Sequence, residues 1–115
     1  MRQVGIFAAA GLFALDHNVE RLAEDHANAR RIADRVAESR YVELDPASVR
    51  TNILLIRLIA DGPDAADVVA RARELGVLIY AFSPRSIRAV THLDVTTTQC
   101  ERAGMLLAQA IEEAA

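Results

Sequence analysis

The sequence predicts an α+β domain: long amino-terminal helices followed by a small antiparallel or mixed sheet covered by helices. Three observations carry this prediction. Residues 19–37 repeat apolar side chains at helical spacing. Residues 52–59 form a dense run of branched side chains bounded by turn formers, which reads as a largely buried strand. Two shorter branched runs flank the turn Ser83-Pro84-Arg85-Ser86. The predicted order is α–α–β–β–α–β–β–α. Residues 1–39 form interface helices, and residues 40–115 form the small domain.

The first element, Val4 to Leu15, is apolar almost all round, with Phe7, Leu12, Phe13 and Leu15 leaving no polar face. Such a helix must be buried, and a chain of 115 residues has little interior to hide it. The segment is therefore expected to pack on a missing domain or a second subunit. Asp16 or Asn18 can cap the second helix. Its inner face reads Val19, Leu22, Ala23, His26, Ala29, Ile32, Ala33, Val36 and Ala37, over about 20 residues at this spacing. Glu20, Arg21, Glu24 and Arg31 belong to the opposite, solvated face.

Tyr41 to Leu44 is a short extended piece before Asp45-Pro46, and Asn52 to Ile59 is the central strand. Pro63 suits the first position of a third helix. Val68, Val69, Ala72 and Leu75 face its core side, and Gly76 ends it. Val77 to Ala81 and Ile87 to Thr91 read as two antiparallel strands. Thr96 with Gln99 forms a capping box for the last helix, with Thr98 and Glu101 an equally formed alternative. Ala103, Leu106, Leu107, Ala110 and Ile111 line its inner face, and the helix runs towards Glu112.

Hydrophobic residues are 52% of the chain and the net charge is −3, which excludes disorder. An acidic balance, with arginines interleaved among acids and only 4% aromatics, argues against nucleic acid or anionic membrane as a partner. No apolar run approaches the roughly 20 residues of a membrane span. The start of the chain is a poor signal peptide, with Gln3 and Gly5 breaking the pattern. The single cysteine, Cys100, excludes an internal disulfide and fits a cytoplasmic protein. All 13 bases are arginine and lysine is absent, so no side chain can form a Schiff base with a carbonyl compound.

Among chemistry-bearing residues, His17, His26 and His92 make no metal spacing with one another or with Cys100. Each histidine reads as structural; His92 stands out because it leaves a strand end in a loop. Cys100 reads as a buried structural thiol. Arg88 shares one strand face with Val90, while Ile87 and Ala89 take the other. It has two readings, a planar fork that holds a carboxylate or a solvated arginine on an open face. Arg2 precedes an apolar helix, where a cation is unfavourable unless an anion lies nearby.

Several stretches resemble the low-specificity threonine aldolases. The segment MRQVGIFAAAGL, residues 1–12, resembles the helix start after their glycine-rich turn. Residues 16–29, DHNVERLAEDHANA, resemble their next helix, and Arg88-Ala89-Val90-Thr91-His92-Leu93-Asp94-Val95 resembles their carboxy-terminal signature strand. Pro46, Thr51-Asn52 and Gly76-Val77 fall between in the right order. The resemblance runs from residue 1 to about 112 and matches the carboxy-terminal third or so of such an enzyme.

It implies the aspartate-aminotransferase-like fold of pyridoxal-phosphate enzymes, with residues 40–115 as the small domain. It implies cleavage of L-threonine or L-allo-threonine to glycine and acetaldehyde, the cofactor being held by a lysine upstream of the matched region. It also implies that Arg88 binds the substrate carboxylate and that Arg2 lies close to the cofactor phosphate. The 115-residue chain alone is then expected to be inactive, and its apolar helix 4–15 to be covered by the large domain or a homo-oligomer partner. A stand-alone small-molecule-binding or dimerisation module is the alternative.

Overall fold

The computed structural model describes residues 2–115. The observed order is α1 (Val4–His17), α2 (Leu22–Val36), β1 (Val42–Glu43), a 3-10 turn (Pro46–Ser48), β2 (Ile53–Leu58), α3 (Ala65–Glu74), β3 (Tyr80–Ser83), β4 (Ser86–Val90) and α4 (Thr97–Ala114). This is the order the sequence predicts.

The four strands form one sheet in the order β1-β2-β4-β3, and every pairing is antiparallel, so the mixed option falls away. Strand β2 alternates strictly: Leu54, Ile56 and Leu58 are buried, while Ile53, Leu55 and Arg57 are exposed. Strand β4 follows the same period, with Ile87 and Ala89 inward and Arg88 and Val90 outward. The inward set meets Ile32, Ala33 and Val36 of α2, Val68 and Ala72 of α3, and Leu107, Ala110 and Ile111 of α4. One sheet face thus carries the helices and the core, and the opposite face is open.

Helices α2 and α4 approach closely where Gly104 sits. A Cβ there would stand 3.2 Å from the Arg35 Cβ and 3.3 Å from the Ile32 Cα, so the missing side chain sets the spacing. Helix α4 begins with the expected Thr96 box: the Thr96 hydroxyl accepts the Gln99 N–H at 3.1 Å, and the Gln99 side chain accepts the Thr96 N–H at 2.9 Å. The Thr98–Glu101 alternative is not used, and the helix continues to Ala114.

Several boundaries differ from the sequence reading, each for a local reason. Helix α1 runs through His17 and Asn18 closes it, so neither Asp16 nor Asn18 caps α2. Helix α2 starts at Leu22 without a side-chain cap and spans 15 residues rather than about 20. Its first turn is held instead by Arg21, which pairs bidentately with Asp25 at 2.8 and 3.0 Å.

The buried stripe of α2 begins with Asp25 and Asn28, whereas Leu22, Ala23 and His26 are exposed. The end of β4 docks there: the Thr91 hydroxyl donates to the Asp25 carbonyl at 2.6 Å. Pro63 precedes the cap residue Asp64 rather than opening α3.

Strand β3 starts at Tyr80, three residues later than expected. Gly76 takes φ +90, and the N–H groups of Gly76 and Val77 return to the carbonyls of Arg73 and Ala72 at 3.0 and 2.8 Å. This Schellman closure ties Val77 to the helix and away from the sheet.

Helix α1 buries no residue: Ile6 is 70%, Phe7 65%, Phe13 60% and Leu15 68% exposed. The radius of gyration is 16.0 Å, against roughly 13 Å for a compact chain of this length, because α1 projects from the rest.

Candidate functional site

Arg88 stands on the open sheet face between Leu55 of β2 and Tyr80 of β3, its direct cross-strand neighbours. The surroundings are apolar and solvent-facing, with Leu55 47%, Val90 44%, Tyr80 80% and Phe82 67% exposed. A cleft of about 430 Å³ lies here, lined by Leu78, Tyr80, Phe82, Arg88, Val90 and His92 among others.

Among the described residues, no carboxylate comes within 4.0 Å of the Arg88 guanidinium, whereas Arg21, Arg30, Arg31, Arg35, Arg71 and Arg85 all have acidic partners. Arg40 lies over the Tyr41 ring at 4.7 Å. A forked cation on an apolar face without a counter-ion is suited to a carboxylate supplied from outside.

His92 borders the same cleft. Its Nδ1 accepts the Asp94 N–H at 3.2 Å, so the neutral ring carries its proton on Nε2. The Asp94 carboxylate lies 3.9 Å from Nδ1. The other two histidines lie elsewhere. His17 Nδ1 donates to the Phe13 carbonyl at 2.9 Å and its ring stacks on Phe13, a local helix contact. His26 is exposed on α2 rather than facing inward. No metal-binding group occurs among the described residues.

Cys100 is 3% exposed. Burial pushes its thiol up, and the nearby charges of Asp25 and Glu24 add to that, so thiolate is suppressed and the inert reading stands. The thiol borders a second cleft of about 630 Å³ on the helical side, which shares Leu78, Ile79, Ala89, Val90 and His92 with the first.

Arg2 is exposed ahead of α1 and lines neither cleft. The structure therefore does not bring Arg2 and Arg88 together. Gln3 places no side chain on the α1 amino terminus and the first turn contains no acid, leaving that end uncapped.

Two groups of residues escaped the sequence reading. Leu78, Tyr80 and Phe82, to which the sequence reading gave no face, wall the open cleft; their alternation in step with Arg88 and Val90 was the available signal. Asp25 and Asn28 carried no signal at all, since polar residues on a helix read as solvated. Both side-chain polar atoms of Asn28 are buried without a protein partner.

An antiparallel sheet with helices on one face is an architecture shared with solved aminotransferases. The chain superposes on Plasmodium falciparum ornithine delta-aminotransferase with a TM-score of 0.65 at 14% identity, covering 82% of this chain and 25% of that one. It superposes on the Toxoplasma gondii ornithine aminotransferase with a TM-score of 0.63 at 19% identity, covering 82% and 22%. These likenesses define the fold.

A beta-eliminating lyase family model matches residues 1–59, and the chain belongs to that family. It is 44% identical over 99 residues to the low specificity L-threonine aldolase of Escherichia coli K12, covering 86% of this chain. It is 32% identical over 102 residues to a probable low-specificity L-threonine aldolase 2 of Arabidopsis thaliana, covering 88%. The chain spans 28% and 29% of the length of these two relatives.

Proposed function

We propose that this chain is the carboxy-terminal part of a pyridoxal-phosphate-dependent threonine aldolase, in which Arg88 holds the substrate carboxylate. The observation that carries it is the unpaired Arg88 fork on an open, apolar sheet face. The parent reaction is retro-aldol cleavage of threonine to glycine and acetaldehyde, and the cytoplasm is its compartment. Among the described residues no helix is long and apolar enough to cross a membrane.

The residues present fit the cofactor at one end only. Arg2 and the uncapped start of α1 suit a phosphate, but a chain without lysine offers no side-chain amine for covalent attachment. When bound in the parent, the cofactor supplies an electron sink for the broken carbon–carbon bond. The role of this chain is to bind and orient: Arg88 fixes the carboxylate.

In the full-length enzyme, Arg88→Ala should lower kcat/KM for threonine roughly 10- to 100-fold, the worth of a lost charge-assisted hydrogen-bonded pair. Arg88→Lys should recover only part, because a point charge cannot replace the fork. An unchanged kcat/KM in Arg88→Ala would sink the assignment.

The stand-alone module is the second reading, favoured by a cleft that exists in this chain alone. Calorimetric titration with glycine and threonine separates the two. Heat that vanishes in Arg88→Ala supports the module, and no heat supports the fragment.

The bare α1 adds a partner to this proposal. With every residue of α1 exposed, the isolated chain should self-associate, as exposed contiguous apolar patches do. Sedimentation velocity at tens of micromolar should show dimers or larger species. The double substitution Phe7→Glu, Phe13→Glu should return them to monomer without loss of helical signal, since α1 supports no core residue. A monomeric unsubstituted chain would contradict this.

A further inference from the structure

Among the described residues no acid pairs with Arg88, so the place of its guanidinium depends on the strand that carries it. That strand is supported unevenly. The pairing of β4 with β3 ends at Arg88 and Tyr80. Beyond Arg88 the register continues with β2, through Ala89 with Leu54 and Val90 with Ile53.

The next residue, Thr91, closes the strand end. Its N–H donates to the Asn52 carbonyl at 3.0 Å, and its carbonyl accepts the Asn52 side-chain amide at 2.8 Å. Its hydroxyl donates to the Asp25 carbonyl on α2 at 2.6 Å. Thr91 is 2% exposed, and by the period of β4 it falls on the inward face with Ile87 and Ala89, where an apolar side chain is the ordinary occupant. A buried hydroxyl is costly without its partner, so the bond fixes where the strand end docks.

The far side of that bond is held as well. Asp25 is the first buried residue of α2, and its carboxylate accepts both Arg21 donors at 2.8 and 3.0 Å. A bidentate pair sets direction as well as distance. Asn52 stands immediately before β2, so Thr91 joins the start of α2, the start of β2 and the end of β4.

We infer that Thr91 is a positioning residue for substrate binding: bonded to α2 and to Asn52, it pins the end of β4 and so holds the Arg88 fork where the substrate carboxylate is bound. The inference rests on the carboxylate reading of Arg88. A forked grip tolerates little displacement, because two donors must meet two oxygens at once. Arg88 lies on the same strand as the pin, at the last position where β3 still supports it, so a slip at Thr91 reaches it.

The test compares variants in the full-length enzyme. Thr91→Val keeps the shape of the side chain and removes the hydroxyl. It should raise KM for threonine roughly three- to tenfold with kcat nearly unchanged, the mark of lost binding shared by ground state and transition state. Thr91→Ser keeps the hydroxyl and should restore KM. In an Arg88→Ala background, Thr91→Val should lower kcat/KM no further, because it acts only through the arginine. Asn52→Ala removes the bond to the Thr91 carbonyl at a half-buried position; it should repeat the KM effect and carries the test if Thr91→Val does not fold.

Unchanged KM in Thr91→Val and Asn52→Ala, while Arg88→Ala still lowers kcat/KM, would overturn the role of Thr91 and leave the arginine assignment standing. An equal loss with and without Arg88 would mean a general loosening of the fold and would also overturn it. If Arg88→Ala itself has no effect, the carboxylate assignment falls and this inference falls with it.

Discussion

Replacing Ile56 by alanine is expected to destabilise the chain by about 2–5 kcal/mol, whereas the same change at the neighbouring Leu55 should cost well under half as much. Ile56 is 0% exposed in the central strand β2 and faces Ile87, also 0% exposed, directly across the ladder. Removing its branched side chain loses the transfer free energy and leaves a cavity that the packed helices above cannot fill. Leu55 points the other way, is 47% exposed, and has Arg88 rather than a core residue as its partner on β4.

Because domains of this kind have total stabilities of roughly 5–15 kcal/mol, Ile56→Ala should remove a large fraction of what holds the chain together. Urea unfolding followed by circular dichroism measures both variants. Similar midpoints for the two would mean that the sheet does not have one covered and one open face. Since Ile56 and Ile87 touch the same space, the double alanine variant should lose less than the sum of the single losses.

That two-faced sheet also shows what was legible in the sequence. The alternation of β4 placed Arg88 and Val90 on one face and Ile87 and Ala89 on the other, and helical spacing located α2, α3 and α4, while α1 was read from its unbroken apolar run. These follow from local periods, which depend only on the chain itself. The limits of the elements depend on competing hydrogen bonds. Val77 has the composition of a strand residue, yet its N–H is spent on the Ala72 carbonyl, so β3 waits until Tyr80.

The α2 face was misplaced for a different reason. Asp25 is buried because Arg21 neutralises it and Thr91 bonds its carbonyl, and both are tertiary facts. Leu78, Tyr80 and Phe82 are apolar residues in or beside a strand, a kind that usually packs inward. Here they line an open face, and α1 is likewise bare, so the apolar surface of this chain exceeds what its own fold covers. Periodicity reports which residues share a face. It does not report whether anything within the chain covers that face.

The last expectation concerns covalent chemistry. After incubation with pyridoxal phosphate and reduction with borohydride, no side chain of this protein should carry the cofactor. The aldehyde attaches reversibly to unprotonated amines. The 13 basic side chains are all arginine, whose guanidinium stays protonated and does not react in this way. The remaining amine is the α-amino group at the chain's amino terminus, which is more weakly basic than a lysine; any label should therefore map to the amino-terminal residue.

Weak non-covalent association of the cofactor phosphate with Arg2 and the start of α1, as proposed for the parent enzyme, is compatible with this outcome, and mass analysis after digestion separates the two. A reduced adduct on an internal peptide would refute the division of labour proposed for the parent enzyme. That division gives this chain the grip on the carboxylate through Arg88 and leaves the attachment of the cofactor to residues outside it. The two functions are physically separable because one needs only a forked cation on a rigid strand, while the other needs an amine that this chain does not contain.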